Sequence, residues 1–348
     1  MKVSRFTRAM IGLGVVLSGA CLVAAGSYHL LKKVPFGAAP GGGEYFDYIT
    51  VDSAARRVYL SHGTEIKVLN ADTYETVGTI DGFKRNHGVA LVPDLNKGFI
   101  SDGDAGQVVI FDMKTLKQTG QAKADKDVDY ILYDPASKHI FAFNGEPHSI
   151  TVIDPKNGAV LSTVPLPGQP EQAVADGKGM IYDNIEDTNE VVAIDSKTLQ
   201  IKSRWPVAPA GQPVSIAMDR KNRRLFIGGR NPKMLVMMDA DTGKIIGESF
   251  PIGDRVDTNI YDPSTGTLAS ATREGTIHIF HQDSPDKLSV VETVKTEFGA
   301  KTMGFDSKTH NLMVDTSDFD PPAAPTEKQP NPQPRAKSGT FHLLVFGH

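Results

Sequence analysis

The chain has 348 residues, of which 40% are hydrophobic and 22% are charged, a composition typical of a globular protein. Its 33 glycines and 22 prolines favour many turns over long helices. The net charge of −4 includes three cations close to the N-terminus, so the rest of the chain is more acidic still and general binding to nucleic-acid phosphates is not expected.

The first 25 residues have the pattern of a secretory signal peptide. Lys2, Arg5 and Arg8 precede an apolar run that ends in small residues. We therefore expect export to the periplasm or the medium, with residues 26–348 forming one folded domain. Two alternatives stay open: the run remains uncleaved as a membrane anchor, or a lipid is attached to Cys21.

Cys21 is the only cysteine, so a cleaved protein would contain none. This predicts no disulfides, no thiol catalysis, no cysteine-ligated metal and no covalent haem. Gly12 and Gly14 lie in the apolar run without a strand–turn–helix around them, so a bound dinucleotide is not expected either.

From Ser27 the sequence reads SYHLLKKVPFGAAPGGGEYF, a strand-like stretch that breaks at Pro35 and a run of glycines. The stretch is either a linker or part of the fold.

The remainder repeats at intervals of about 42 residues, the period of a β-propeller with one four-stranded blade per repeat. Each repeat has an apolar strand, an Asp-led turn, and three further strands separated by turns. The Asp that opens the first turn recurs as Asp52, Asp94, Asp134, Asp176, Asp219, Asp262 and Asp306. The pattern predicts an all-β, seven-bladed β-propeller of four-stranded antiparallel blades.

Three segments resemble the YVTN-type (YncE-like) β-propeller repeat family. They are RRVYLSHGTEIKVLNADTYETVGTI, KHIFAFNGEPHSITVIDPKNGAVLSTVPLPGQP and NEVVAIDSKTLQIKSRWPVAPAGQP. The resemblance covers nearly the whole chain after the signal and implies the propeller fold. Its motif residues are core and turn positions, so it implies little about activity.

Counting back from each repeated Asp predicts the residues at the mouth of the central channel. The fifth residue before each Asp is, in chain order, Asp47, Val89, Asp129, Glu171, Val214, Asp257 and Lys301. A second position, two residues earlier, gives Tyr45, His87, Asp127, Gln169, Gln212, Arg255 and Gly299. The candidate binding residues are Asp47, His87, Asp129, Glu171, Arg255, Asp257 and Lys301.

These residues allow several kinds of chemistry. An oxygen-rich ring suits Ca²⁺ or another divalent cation, and converging carboxylates shift one another's pKa values for acid–base work. Alternatively, the mouth is a solvated rim whose acids pair with Arg255 and Lys301. Loops between second and third strands should share this face, and they hold His62, Asp102, Asp104, His148, Glu186, Asp187, Arg230 and Arg273.

The last repeat contains a proline-rich insertion at 320–338 and lacks a fourth strand. The insertion predicts a flexible or polyproline segment that projects from the mouth face, as a lid, a recognition strip or a tolerated loop. The stretch after Ser27 aligns with the fourth strands of other repeats. We therefore predict that Tyr28–Phe36 pairs with Thr340–Phe346 and closes the ring in a three-plus-one blade.

The sequence thus favours an exported binding scaffold for a small molecule, glycan or protein, acting through the channel face as a monomer. The alternative is a propeller enzyme, a lactonase-like hydrolase or an oxidoreductase, that uses the acidic mouth and a divalent metal. Contact with a membrane is expected only through an uncleaved signal or a lipid.

Overall fold

The fold is a closed ring of seven four-stranded antiparallel sheets, which confirms the predicted seven-bladed β-propeller. The computed structural model describes residues 27–41, 43–326, 330 and 332–348. The predicted signal peptide, residues 1–25, lies outside these described residues. Within the described ranges, no helix is long and apolar enough to cross a membrane.

The first strand, β1 (His29–Gly37), belongs to the last blade, and the next six blades are built from consecutive strands. Blade 1 contains β2 (Ile49–Asp52), β3 (Arg57–His62), β4 (Glu65–Asn70) and β5 (Thr76–Asp81). Blade 2 contains β6 (Asn86–Val92), β7 (Lys97–Asp102), β8 (Gln107–Asp112) and β9 (Gln118–Lys123). Blade 3 contains β10 (Val128–Asp134), β11 (His139–Asn144), β12 (Ser149–Ile153) and β13 (Val160–Pro165).

The next three blades repeat this arrangement. Blade 4 contains β14 (Pro170–Ala175), β15 (Met180–Ile185), β16 (Glu190–Asp195) and β17 (Ile201–Pro206). Blade 5 contains β18 (Pro213–Asp219), β19 (Arg224–Arg230), β20 (Lys233–Asp239) and β21 (Ile245–Pro251). Blade 6 contains β22 (Val256–Asp262), β23 (Thr267–Thr272), β24 (Thr276–Ser284) and β25 (Lys287–Lys295).

Blade 7 is assembled from both ends of the described chain. It contains β26 (Met303–Asp306), β27 (Asn311–Thr316) and β30 (Phe341–Gly347), with β1 as its outermost strand. The pairing of β1 with β30 runs from His29 opposite Gly347 to Gly37 opposite Phe341. The predicted closure of the last blade by an N-terminal strand is therefore confirmed. Between β27 and β30, a short hairpin of β28 (Phe319–Asp320) and β29 (Arg335–Ala336) stands at the base of the proline-rich insertion.

The repeated aspartates form the turns, as their spacing predicts. The carboxylate of Asp134 accepts hydrogen bonds from the backbone N–H groups of Ala136 at 3.3 Å and Ser137 at 2.8 Å. At the end of the third strand of blade 4, Asp195 accepts a hydrogen bond from the N–H of Thr198 at 2.8 Å. These side chains replace backbone partners that the turn would otherwise lack.

Blade 2 departs from the repeat. Its first strand ends at Val92, and a single 3₁₀ turn, Pro93–Leu95, follows before Asn96 adopts a φ of 53°. Asp94 therefore lies inside a longer turn, and the prediction that it opens the turn is wrong. The mouth positions of blade 2 that were predicted by counting back from Asp94 are therefore assigned to the wrong residues.

Apolar clusters at the junctions between neighbouring blades hold the ring together. Blades 7 and 1, for example, share a cluster that contains Leu60, Leu69 and Val345, all fully buried. Burial of each such side chain stabilises the fold by about 1.5–3 kcal/mol. Because each junction is packed, the innermost strands that line the channel have fixed positions.

Candidate functional site at the channel mouth

One equivalent residue from each blade surrounds the channel mouth, at or just before the start of the innermost strand. These residues, which we call the mouth ring, are Asp47, His87, Asp129, Glu171, Val214, Asp257 and Lys301. All of them except Val214 are candidates predicted from the sequence. The ring therefore brings together six of the seven predicted residues, and Arg255 is the exception.

The register of blade 2 explains why His87 belongs to the ring. Asn86 in β6 and Val128 in β10 each pair with the last residue of the second strand of their blade. His87 and Asp129, which follow them, are therefore equivalent. Val89 was assigned to this position from the sequence, but the longer turn of blade 2 places it deeper in the strand, packed between blades 1 and 2.

His87 is hydrogen-bonded within a compact group of mouth residues. Its Nδ1 lies 2.7 Å from Oδ2 of Asp47 and 3.0 Å from Oδ1 of Asp129. The hydroxyl of Tyr45 lies 2.7 Å from the same nitrogen and donates a hydrogen bond to Asp47 at 2.7 Å. Burial disfavours the imidazolium, but Asp129 and Asp47 outweigh it and raise the pKa of His87 to about 10. His87 is therefore positively charged at neutral pH.

Lys301, at the start of blade 7, connects Asp257 of blade 6 with Asp47 of blade 1. Its Nζ forms a close ion pair with Asp257 and lies 3.8 Å from Oδ1 of Asp47. Burial works against the ammonium, but the two carboxylates raise the pKa of Lys301 well above its usual value. At Asp47 burial is likewise outweighed, and Lys301 and His87 hold the pKa of its carboxyl well below its ordinary range. Asp47 is consequently a poor proton acceptor at neutral pH.

Arg230 occupies the side of the mouth where Val214 supplies no charge. It is the last residue of β19, and its guanidinium forms a close ion pair with Asp257. The same guanidinium lies 3.6 Å from Oε1 of Glu186, and its Nε donates to the backbone carbonyl of Val256 at 3.1 Å. A cation from the end of the second strand thus completes the ring of charge in blade 5.

Glu171 is a mouth carboxyl whose environment favours the protonated form. Burial raises the pKa of Glu171 well above its ordinary value, and repulsion from Asp129 raises it further, while Arg230 opposes the shift. Glu171 and Asp47 are thus two carboxyls of one ring whose pKa values are displaced in opposite directions. Such pairs of groups are a common basis of acid–base chemistry.

Arg255 lies outside the ring, immediately before β22. Its φ is 52°, and its carbonyl accepts a hydrogen bond from the N–H of Arg273 at 3.2 Å. Its guanidinium makes no ion pair with any residue in the described part of the chain. The expectation that mouth carboxylates pair with both Arg255 and Lys301 is therefore right for Lys301 and wrong for Arg255, because Arg230 takes the second position.

Among the described residues, Asp47, His87 and Asp129 have ligand atoms close enough to share a metal ion, all within 4.8 Å of one another. Imidazole and carboxylate are suitable ligands for several divalent ions. However, Nδ1 of His87 would have to lose a proton whose pKa is about 10. A metal ion would therefore compete with that proton, and with Lys301 for Asp47.

Two tyrosines next to the ring residues line the channel together with residues of the innermost strands. Tyr48 and Tyr130 follow ring residues in the chain, and their ring centres lie 5.2 Å apart at an interplanar angle of 69°. On their other side, the innermost strands of all blades line a cavity of about 650 Å³. The charged mouth is therefore bordered by two aromatic side chains on the side that faces the channel.

The base of the proline-rich insertion is attached to the mouth face. Phe319 of β28 packs edge-on against Phe298, with ring centres 5.0 Å apart. At the other end of the insertion, the N–H of Gly339 donates to Oε1 of Glu44 at 2.8 Å. Glu44 also lies 3.1 Å from Nε2 of His62, so the insertion is fixed to both the last blade and the first.

The sequence placed Arg230 and Arg273 in loops on the mouth face without assigning them a role. Each lies in or beside the connection between the second and third strands of its blade. The sequence feature that could have identified them is the occurrence of an arginine at the same connection in two consecutive blades. The direction of such an arginine toward the channel depends on the loop conformation, which spacing does not reveal.

Comparison with known proteins shows the fold and no family. No protein-family model and no curated protein sequence matches the chain. Among solved structures, a chain of a mitotic checkpoint complex has a TM-score of 0.73 at 12% identity, over 100% of this chain and 99% of that one. Hydrazine synthase from Kuenenia stuttgartiensis has a TM-score of 0.69 at 12% identity, over 85% of this chain and 96% of that one. At such identity the likeness is one of fold, so the class established is the β-propeller.

Proposed function

We propose that the protein is an exported YVTN-type β-propeller that acts as a binding scaffold and holds a small molecule, glycan or protein at its channel mouth. The N-terminal sequence supports export to the periplasm or the medium. The repeat motifs support the family. Nucleic acid is not an expected ligand, because the chain is acidic overall.

The observation that carries the proposal is the mutual pairing of the ring charges. Asp47 and Asp257 contact His87, Lys301 or Arg230, so the polar groups of the mouth have fixed positions before a ligand arrives. Fixed polar groups bind ligands without a further loss of side-chain entropy. Paired carboxylates with lowered pKa values, such as Asp47, are poor general bases, which favours binding over catalysis.

The test is retention of a ligand by the full chain, exported from a bacterial host and measured by native mass spectrometry. We expect the wild type to carry a non-covalent species and the double variant Asp129→Asn, Glu171→Gln to lose it. Arg204→Gln is the control, because Arg204 pairs with Glu190 at 2.6 Å on the outer strand of blade 4, away from the mouth. Equal retention by wild type and double variant would contradict the proposal.

Glu171 favours a second candidate, a hydrolase of the lactonase type. Its raised pKa suits a proton donor at neutral pH, and the adjacent cluster of Asp47, His87 and Asp129 offers ligands for a divalent ion. This candidate predicts lactone hydrolysis that depends on added Ca²⁺ or Zn²⁺ and is lost in Glu171→Gln. Absence of both effects across a lactone series would exclude this candidate.

A further inference from the structure

Arg255 and Arg273 are held side by side at the mouth, on the blade 6 side. Besides the hydrogen bond from Arg273 to the Arg255 carbonyl, the N–H of Gly299 donates to the carbonyl of Arg273 at 2.8 Å. Both arginines are half-buried. Their backbones are thus joined at the rim, and their guanidinium groups are close enough to repel each other.

Neither guanidinium has a carboxylate partner among the described residues. The three acidic side chains closest in the chain are engaged elsewhere. Asp254 lies 2.9 Å from Lys233, Asp257 pairs with Arg230 and Lys301, and Glu274 accepts a hydrogen bond from the N–H of Asp254. Each of the two arginines therefore carries a positive charge that the carboxylates of the described mouth residues do not pair with.

Placing like charges together in a half-buried rim is unfavourable without an anion. Burial and then repulsion from Arg255 lower the pKa of Arg273, and Arg230 adds to this. The carboxylates of Asp257 and Asp254 oppose the shift without reversing it. An anion bound between Arg255 and Arg273 would remove this repulsion. No change in backbone conformation would be required.

Phe298 gives this region an apolar surface. Cζ of Arg273 lies 5.6 Å from the centre of the Phe298 ring, in a cation–π contact. The edge-on packing of Phe319 fixes the ring, yet Phe298 remains 44% exposed. A flat ring beside the Arg273 guanidinium can contact the apolar part of a ligand whose charged end the arginines bind.

We propose that Arg255, Arg273 and Phe298 form an oxyanion-binding site that takes a carboxylate or phosphate group attached to a flat apolar group. The planar guanidinium forms two parallel hydrogen bonds to either oxyanion, which a lysine does not. The inference rests on the proposed function, since it names the ligand chemistry of the same mouth.

Isothermal titration calorimetry of the full chain tests the site. The probes are phenyl phosphate, benzoate and inorganic phosphate. We expect binding of phenyl phosphate or benzoate, and the preferred probe distinguishes a phosphate from a carboxylate ligand. Arg255→Gln with Arg273→Gln should weaken that binding by about tenfold or more, which corresponds to at least about 1.4 kcal/mol, because the variant loses the bidentate contacts of both guanidinium groups. Arg204→Gln, which also removes one cation, should leave it unchanged.

Two further variants separate the contributions and guard against misfolding. Arg273→Lys keeps the charge and should weaken binding of the preferred probe. Phe298→Ala should weaken phenyl phosphate or benzoate and leave inorganic phosphate unaffected. Absence of binding by the wild type at about 10 mM probe, well above a millimolar dissociation constant, would overturn the proposal. So would equal affinity in the folded double variant.

The outcome is distinguishable from failure of the proposed function. If Asp129→Asn, Glu171→Gln abolishes retention of the native ligand while the arginine variants and the anion probes have no effect, the scaffold stands and the oxyanion site is wrong. If the anions bind to the two arginines but the ring variants retain every native ligand, the oxyanion site stands and the proposed scaffold function of the ring is wrong.

Discussion

His87 carries a positive charge in a buried position because three oxygen atoms surround its Nδ1. Asp47 and Asp129 supply carboxylates, and Tyr45 supplies a hydroxyl that also bonds Asp47. The other ring nitrogen faces Gly103, where a Cβ atom would lie 2.7 Å from Nε2. The imidazole is therefore enclosed, and its proton is held by charge rather than by water.

We predict that His87 titrates with a pKa of about 10, compared with about 6.5 for an unperturbed histidine. Nitrogen-detected NMR of the imidazoles measures this, and His87→Gln assigns the resonance. Because the pKa is raised on folding, the charged form contributes stability that is fully present below about pH 6.5 and is lost as the pH rises through 10. The stability difference between wild type and His87→Gln should shrink over that interval. Titration of His87 near 6.5 would contradict the prediction.

Most of the ring could be predicted from the sequence because each member lies at or just before the start of the innermost strand of its blade. Asp47 and Asp257 follow directly from the spacing of the turn aspartates, and they lie where predicted. His87 was identified through a position that proved incorrect, since the turn after β6 is longer. Arg230 was not identified as part of the ring, because it comes from the end of the second strand of its blade, whereas the ring positions were counted along the first strands.

The turns between first and second strands connect neighbouring blades as well as their own strands. In three blades, a turn residue with positive φ contacts the turn aspartate of the preceding blade. These contacts are Arg56 with Asp306, Arg223 with Asp176, and His310 with Asp262. The first of them joins blade 1 to blade 7, where the ring closes.

The contact of Arg56 with Asp306 should contribute strongly to stability. Two guanidinium nitrogens of Arg56 lie 2.7 Å from the two oxygens of Asp306, whose side chain is fully buried. Asp306→Ala should lower the free energy of unfolding by about 3–5 kcal/mol, because Arg56 keeps a half-buried charge without its main partner. Urea denaturation at pH 7 measures the change.

Asp72 provides a matched control, since it contacts the same guanidinium at 2.8 Å but is 53% exposed. Asp72→Ala should leave the unfolding midpoint nearly unchanged, because exposed ion pairs are weak. Equal effects of the two variants would show that burial does not matter here. Although burial opposes ionisation, Arg56 holds the pKa of Asp306 well below its ordinary range. The contribution of Asp306 is thus present above about pH 3.9 and is lost as the pH falls further.

The turn aspartates could be predicted, whereas their partners in the next blade could not. An Asp that begins a turn follows from local hydrogen bonding, which acts over a few residues. The contact of Arg56 with Asp306 depends on the left-handed conformation of Arg56 and on the angle between two blades. Neither is encoded in the repeat period.

Closure of the ring depends on a strand that comes from the other end of the chain. β1 covers the edge of β30, and Val34 and Phe36 pack against the cluster between blades 7 and 1. The N–H of Tyr28 donates to Oε1 of Glu292 in blade 6 at 2.9 Å, and the Tyr28 hydroxyl donates to the carbonyl of His310. The sequence predicted this closure because residues 28–36 have the strand–Val–Pro pattern of other fourth strands.

Deletion of residues 28–37 should therefore destabilise the whole propeller rather than one blade. It would expose the edge of β30 and open the junction between the first and last blades. We expect the melting temperature to fall by about 5 °C or more, since a loss of several kcal/mol shifts a domain of this size by roughly 2 °C per kcal/mol. Deletion of residues 321–326, which are exposed in the proline-rich insertion, should have little effect because it removes no strand and no buried side chain. Circular dichroism melting of both variants tests the difference, and an unchanged melting temperature without β1 would show that the ring does not need the strand for closure.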